Sequence, residues 1–334
     1  MRDSEFFGYV TAVAPGKVNM GLRVGPPRED GYHSVATLYL AVSLHEEVTA
    51  SPRDDGAVTV TLSERSAFRE TEFRDRDSGE VVAVPVPVDE QNLAHRAATL
   101  LRSRLGHTRG VDLTITKNVP IAGGMGGGSA DAAATLVACS ALWDAGLSKE
   151  QLAELGAELG ADVPFAILGG AAVGQGVGDD LSPLLARGEL HLVIVPATTG
   201  LSTPEVYGLL DSMREEAGVE AEPPELDQDL IRAVCTGDVE TAAMLMANDM
   251  QAPAVSMLPV LDDMMDVGMV EGAMQGMVSG SGPTVMFLAR DAEAAAALAA
   301  RLEERTSAWA IPVSGPAQGA RLLTHRPGET PLRG

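Results

Sequence analysis

The sequence predicts a two-domain chain of mixed α/β structure, and three observations carry that expectation. With 334 residues, 45% of them hydrophobic, the chain can bury two cores of ordinary size. Runs with the two-residue period of strands are interleaved with runs of helical period. A buried-type strand, His191 to Val195, starts afresh beyond a boundary placed near residue 185. The expected division is residues 1–185, residues 186–315, and a frayed tail at 316–334.

Tyr9 to Ala14 reads as a strand that continues through Pro15-Gly-Lys17-Val-Asn19-Met-Gly21-Leu22, kinked at Pro15-Gly16. Lys17, Asn19 and Gly21 alternate onto one face. That face suits a phosphate or polar substrate, although spacing alone favours a solvated strand surface. Asp30-Gly31 is a turn signal followed by Tyr32 and His33. An aromatic ring beside an imidazole suits a planar ligand, one stacking and one hydrogen-bonding, but also fits a ring packed under a loop. Ser34 to Val48 and Val58 to Leu62 are strand-like, and the mixed-charge run from Glu64 to Glu80 reads as a solvated hairpin extension or loop. Asn92 precedes a helix with Leu93, Ala97, Leu100, Leu101 and Leu105 on one side, ended by Gly106.

Val111 to Thr116 is a strand, and Val119 to Ala134, VPIAGGMGGGSADAAA, follows it. Gly123, Gly124, Gly126, Gly127 and Gly128 free the backbone to turn several N–H groups toward one point. The Ala-rich helix beyond them offers unpaired N–H groups and the positive end of its dipole. Together these make an anion site suited to a nucleotide polyphosphate. It is neither a Walker A loop, since no Gly-Lys-Ser/Thr closes it, nor a dinucleotide fingerprint, since position 129 is Ser. A simple strand-to-helix connection would need fewer glycines.

Ala132, Leu136, Cys139 and Trp143 form one apolar flank of that helix. Ser148 and Gln151 form a capping box for the next helix, which Gly160 should end. Asp162 stands before Val163-Pro164, either as a turn residue bonding its own backbone or as a carboxylate held at the mouth of a site. Phe165 to Leu168 and Ala171 to Val173 read as strand. Ser202-Thr-Pro-Glu205 reads as a capping box opening a helix through Tyr207, and Glu215 to Glu225 as an acidic linker. Helices follow at Leu230–Thr236, Val239–Asn248 and Val255–Met265. Ser279-Gly280-Ser281-Gly282-Pro283 is a second small-residue turn, before strand Val285–Leu288. Asp291 caps a helix, and Trp309 to Val313 is a last strand.

The net charge of −23 argues against nucleic acid or an anionic membrane as partner. It is compatible with an anionic substrate if backbone amides and a few local cations hold the phosphates. No apolar run is long enough to span a bilayer. The start, MRDSEFFGYV, lacks the plan of a secretory signal. Two cysteines give neither a disulfide framework nor metal spacing, so a cytoplasmic setting is expected.

Three motifs in order, Pro15-Gly-Lys17-Val-Asn19, Pro120-Ile-Ala-Gly-Gly-Met-Gly-Gly-Gly-Ser-Ala130 and Ser279-Gly-Ser-Gly-Pro-Thr284, resemble the galactokinase, homoserine kinase, mevalonate kinase and phosphomevalonate kinase (GHMP) superfamily. Asp30-Gly-Tyr-His33, the double-glycine loop and Gly160-Ala-Asp-Val-Pro164 are similar, within it, to the family of 4-diphosphocytidyl-2-C-methyl-D-erythritol kinases. The resemblance spans roughly residues 12 to 290, and the joint pattern is far more specific than any one motif.

The resemblance implies an N-terminal domain like ribosomal protein S5 domain 2 and a ferredoxin-like C-terminal domain. It implies ATP-dependent phosphorylation of the 2-hydroxyl of a cytidyl diphosphate substrate in the non-mevalonate isoprenoid pathway. By motif match, Lys17 and Asp162 take the catalytic positions. Asn92, Pro120, Ile121, Ala122, Gly123, Gly124, Met125, Gly126, Gly127, Gly128, Ser129 and Ala130 take ATP. Mg²⁺ would bridge ATP oxygens, with Ser129 as its protein ligand. Asn19, Tyr32, His33, Tyr207, Gly280, Ser281 and Gly282 take the substrate, its cytosine lying between Tyr32 and Tyr207. A monomer or weak homodimer is expected. The chain departs from the pattern in Gly16, in Ala130, where a second Ser is frequent, and in the long run from Glu64 to Glu80. Competing expectations are a homoserine- or mevalonate-type kinase, or a non-catalytic nucleotide-binding regulator on the same fold.

Overall fold

The computed structural model describes residues 8–74 and 80–323. Continuous apolar alternation builds two long antiparallel strands, β1 (Val10–Pro27) and β2 (His33–Arg53). Their turn rests on Gly31 at φ +82° and on Asp30 Oδ1, which accepts the Tyr32 N–H at 3.0 Å. Pro15-Gly16 interrupts the ladder as expected, with a register shift between Pro15 and Lys17. Then come β3 (Val58–Leu62), β4 (Glu70–Arg74), β5 (Val81–Pro85), α1 (Leu93–Leu105), β6 (Gly110–Thr116), α2 (Gly127–Leu142), α3 (Lys149–Ala157), α4 (Val163–Leu168), β7 (Ala171–Gln175) and β8 (Asp180–Leu184). The second half of β2 pairs with β6 and its first half with β7. β4 and β5 form the expected hairpin in the mixed-charge run, of which residues 75–79 lie outside the described residues.

The C-terminal half contains β9 (Leu190–Val195), β10 (Thr199–Gly200), α5 (Thr203–Ala217), α6 (Gln228–Thr236), α7 (Val239–Leu245), α8 (Gln251–Met257), α9 (Val260–Val270), β11 (Gln275–Val278), β12 (Val285–Ala289), α10 (Ala292–Thr306), β13 (Ile311–Gly315) and β14 (Arg321–Leu322). Its sheet runs β11-β12-β9-β13, antiparallel throughout. With α9 and α10 as the connections, this is the expected ferredoxin-like order. The two halves share a core in which Val18, Met20 and Leu38 pack with Leu190, Leu192 and Met286.

Asn92 caps α1 by accepting the Ala94 N–H at 2.8 Å, and Gly106 ends it at φ +61°. Ser148 and Gln151 form their capping box. α2 is buried on more than the one expected flank: every residue from Ala130 to Leu136 is buried. Its small side chains let it lie close against both long strands and α1.

Several expectations are corrected. Phe165 to Leu168 is helix, not strand: Pro164 sits in the first turn of α4, where its missing N–H leaves no bond unmade. α3 stops at Ala157, short of Gly160. Ser202 precedes α5 but makes no side-chain cap bond, so its capping box is not formed. α5 runs on to Ala217 into the expected linker, and Gly218 ends it at φ +63°. The helix expected over Val255–Met265 is two, broken at Leu258-Pro259. The start of the expected tail does not fray: β14 pairs with Ala12 and Val13, Ala320 is fully buried, and Ala317 exchanges backbone bonds with Ala41 and Gly170. Residues 324–334 and the first seven lie outside the described residues.

Candidate active site

β1 carries Lys17 and Asn19 on one face, as their spacing predicts, but the face is buried: Lys17 is 8% exposed. Burying an ammonium is costly unless it is paired. Lys17 Nζ donates to Asn19 Oδ1 at 2.9 Å, lies 3.8 Å from Asp162 Oδ2 and stands 5.1 Å from the centre of the Tyr39 ring. Asn19 Nδ2 donates to Thr37 Oγ1 at 2.7 Å, and Thr37 donates to the Gly21 carbonyl at 3.0 Å. This relay holds the Asn19 amide oxygen toward the lysine.

Asp162 occupies the N-cap position of α4, yet its side chain makes no cap bond. The self-bonded turn aspartate is therefore not what forms. The carboxylate, 29% exposed, faces the lysine and the glycine loop. Burial, with the charge of Asp162 close by, pushes the Tyr39 phenol well above its usual value, and the same two causes raise Tyr207. Both rings stay protonated across the neutral range.

The glycine loop is pinned from two sides. The Lys17 N–H donates to the Met125 carbonyl at 3.0 Å, tying the loop to β1. On the other side lies the late glycine turn: a Cβ on Gly124 would stand 2.2 Å from the Ser279 carbonyl oxygen, and one on Gly123 2.6 Å from Thr284 Oγ1. Gly124 and Gly126 take φ of +72° and +69°, which a side chain would strain. Gly126 is the N-cap of α2, so the open N–H groups of that helix start at the Lys17–Asp162 pair.

Behind the loop sits a cluster that sequence reasoning missed. Lys117 Nζ bonds Asp131 Oδ2 at 2.7 Å and also Glu46, whose second oxygen accepts the Asn118 N–H at 2.8 Å. All three side chains are buried, and the cluster touches Gly127 at the start of α2. Burial, only partly offset by Lys117, pushes the Glu46 carboxyl up to about 8 and raises Asp131 as well.

These elements enclose a cleft of about 310 Å³ lined by Lys17, Asn19, Gly124, Gly126, Ser129, Asp162, Gly280 and Ser281. Tyr39 and Thr203 line it too, and nothing in the sequence singled them out. Thr203 Oγ1 lies 2.8 Å from Ser281 Oγ, and Asn248 Nδ2 donates to the carbonyls of Val278 and Gly280, fixing the late turn. Gly282, at φ +78°, closes that turn by donating to Ser279.

Other expected residues stand differently. Met125 is fully buried and offers only its backbone, while Ala130 is buried within α2. Ala122 takes φ +51°. Gly127 and Gly128 form the first turn of α2. Pro120 and Ile121 line a separate apolar cavity of about 570 Å³ against Phe68 and Trp309, not the cleft. The Asn92 side chain is spent on its helix cap and the Pro87 carbonyl. His33 and Tyr207 come together, with ring centres 4.9 Å apart and planes 24° apart, whereas Tyr32 is 65% exposed. Tyr207 therefore stacks on His33. His33 Nε2 lies 2.9 and 3.0 Å from the two oxygens of Asp211.

Among the described residues no group of three or more His, Cys, Asp or Glu is arranged to hold a metal ion, and no helix is long and apolar enough to cross a membrane.

Comparison with known proteins identifies the family. The family model for the GHMP kinases N terminal domain matches residues 92–170, and that for GHMP kinases C terminal matches residues 230–308. A protein of Pseudarthrobacter chlorophenolicus named 4-diphosphocytidyl-2-C-methyl-D-erythritol kinase is 51% identical over 316 residues, covering 94% of this chain and 95% of its own. One of Streptomyces coelicolor with the same name is 43% identical, covering 94% and 99%. A crystal structure of 4-(cytidine 5'-diphospho)-2C-methyl-D-erythritol kinase superposes with a TM-score of 0.71 at 29% identity, covering 92% of this chain and 99% of the other. Homoserine kinase from Cytophaga hutchinsonii shares the fold, with a TM-score of 0.69 at 18% identity over 97% of this chain and 100% of its own.

Proposed function

This chain belongs to the 4-diphosphocytidyl-2-C-methyl-D-erythritol kinase family of the GHMP kinases, and from that premise we propose how it transfers a phosphoryl group from ATP to the 2-hydroxyl of 4-diphosphocytidyl-2-C-methyl-D-erythritol. One observation carries the reading: Gly126, where the amides of α2 open, lies against both Lys17 and Asp162. Amides that grip a triphosphate there leave its terminal phosphorus facing the carboxylate.

Phosphoryl transfer is largely dissociative, so the attacking oxygen needs positioning more than early deprotonation. Asp162 accepts a hydrogen bond from the substrate hydroxyl, orients it and takes its proton late in the transfer. Lys17 keeps Asp162 ionised and offsets the charge that spreads over the moving phosphoryl oxygens. Asn19 fixes the lysine. The amides from Gly123 to Ser129 hold the phosphates, and the Gly280–Gly282 turn closes the cleft over the substrate.

Mg²⁺ fits this cleft as an ion carried by the nucleotide. Among the described residues no carboxylate cluster is built to hold it alone, and Ser129 presents a hydroxyl among the phosphate-gripping amides. The ion would neutralise phosphate charge, held by ATP oxygens, water and Ser129. The base is read at Tyr32, His33 and Tyr207. The two free cysteines, one of them buried, suit a reducing cytoplasm.

Incubating the purified protein with ATP, Mg²⁺ and a panel of the cytidyl substrate, homoserine and mevalonate tests the reading. ADP release with the cytidyl substrate alone is expected. Release with homoserine or mevalonate, or with none of them, contradicts it.

A further inference from the structure

We infer that Asp211 is a specificity-determining residue, positioning the His33 imidazole in the one tautomer that accepts a hydrogen bond from the amino group of a cytosine. The inference rests on the cytidyl reading of the site and goes beyond it by naming what sets the reading of the base.

α5 presents Tyr207 and Asp211 four residues apart, hence on one face and one turn from each other. Both act on the same ring. Tyr207 stacks on the His33 imidazole at 4.9 Å, and the Asp211 carboxylate straddles Nε2 with both oxygens, at 2.9 and 3.0 Å. His33 opens β2 in the N-terminal half and α5 lies in the C-terminal half, so the clamp spans the two. The His33 side chain is only 7% exposed. Stack and carboxylate together leave the ring one orientation.

A carboxylate only accepts hydrogen bonds, so the nitrogen that faces it carries the hydrogen. In the neutral imidazole the hydrogen is then on Nε2, and Nδ1 is left with a lone pair. Nδ1 makes no hydrogen bond within the described residues, nor is it sealed off as a buried orphan. That nitrogen is left without a protein partner among the described residues, and the preceding residue, Tyr32, is exposed. An acceptor there suits the 4-amino group of cytosine and opposes the 4-carbonyl of uracil. Without the carboxylate the ring is free to move its hydrogen to Nδ1 and lose that distinction.

The experiment compares wild type with Asp211→Ala, a change on a half-exposed helix position that Ala favours. Three quantities are read: KM and kcat for the cytidyl substrate, KM for ATP, and inhibition by CDP against UDP. Wild type should be inhibited more tightly by CDP. In the variant, KM for the cytidyl substrate should rise and the CDP preference fall, each roughly tenfold, with kcat and KM for ATP unchanged within about twofold. A variant that keeps the wild-type CDP preference, or one whose KM for ATP rises equally, overturns the role of Asp211 alone. A wild-type protein that does not distinguish CDP from UDP overturns the base-site reading itself, and this proposal with it.

Discussion

Asp162 and Lys17 approach to 3.8 Å, too far for a hydrogen bond, while the lysine donates one of its hydrogens to Asn19. The carboxylate feels the positive charge and lies beside the Tyr39 phenol, with lone pairs left over for a substrate hydroxyl. It is also excused from capping α4, the use most aspartates at that position serve. Asp162→Asn should therefore lower kcat by roughly 10²- to 10⁴-fold, as loss of a general base does. Binding of a non-hydrolysable ATP analogue, read by calorimetry, should stay near wild type. Near-normal turnover would reject the base role.

Gly126 is held to glycine by its backbone conformation rather than by crowding, and a methyl would enter the space assigned to the phosphates. A methyl there would stand 3.4 Å from Lys17 Cγ and 3.7 Å from Asp162 Oδ2, and φ is +69°. The strain of Gly126→Ala should cost about 1–2 kcal/mol of stability. The displaced phosphate should cost roughly 10²-fold in kcat/KM for ATP. Denaturant unfolding and steady-state kinetics check the two separately. An Ala variant with unaltered kinetics would place the phosphates elsewhere.

Tyr32 packs against little in the folded chain, so its removal tests a ligand contact cleanly. Tyr32→Ala should raise KM for the cytidyl substrate roughly tenfold, the worth of one base stack. Stability should change by less than about 0.5 kcal/mol, and KM for ATP should not move. An unchanged KM for the cytidyl substrate removes Tyr32 from the base site.

The buried Glu46–Lys117–Asp131 cluster makes a prediction in pH. Burial raises the Glu46 carboxyl to about 8, from 4.5 when free. The folded state then binds more protons than the unfolded state between those values, so stability falls as pH rises through that window. The stabilisation is fully present below about pH 4.5 and lost through about 8, with a slope of at most about 1.4 kcal/mol per pH unit. Glu46→Gln, which copies the protonated shape, should flatten this slope in denaturant unfolding measured from pH 5 to 8. Parallel stability curves for the two proteins would show that Glu46 is ionised throughout.

Much of the site could be read from the chain because its parts are local. Lys17 and Asn19 share a strand face by spacing, and the loop from Gly123 to Ser129 announces its amides by glycine content. What escaped was assembled from a distance. Glu46, Lys117 and Asp131 are unremarkable singly and meet only when β2, the end of β6 and α2 pack. The scarcity of lysine, with Lys117 one of only three, was the available signal. Asp211 and Thr203 belong to α5, which reaches the site only through the joining of the two halves. Phe165 to Leu168 reads as strand because Pro164 breaks a helix from inside, yet proline is welcome in a helix's first turn, where it sits in α4. Asn92 shows the converse: its helix cap is evident in the sequence, and in the fold its side chain bonds the Ala94 N–H and the Pro87 carbonyl.

The most direct test of the account is ³¹P NMR of the purified protein turning over with ATP, Mg²⁺ and 4-diphosphocytidyl-2-C-methyl-D-erythritol. The account predicts one new phosphomonoester signal, coupled to the carbon bearing the 2-hydroxyl, growing in step with ADP. ADP formed with free phosphate alone, or a phosphoryl group on any other oxygen, would contradict it.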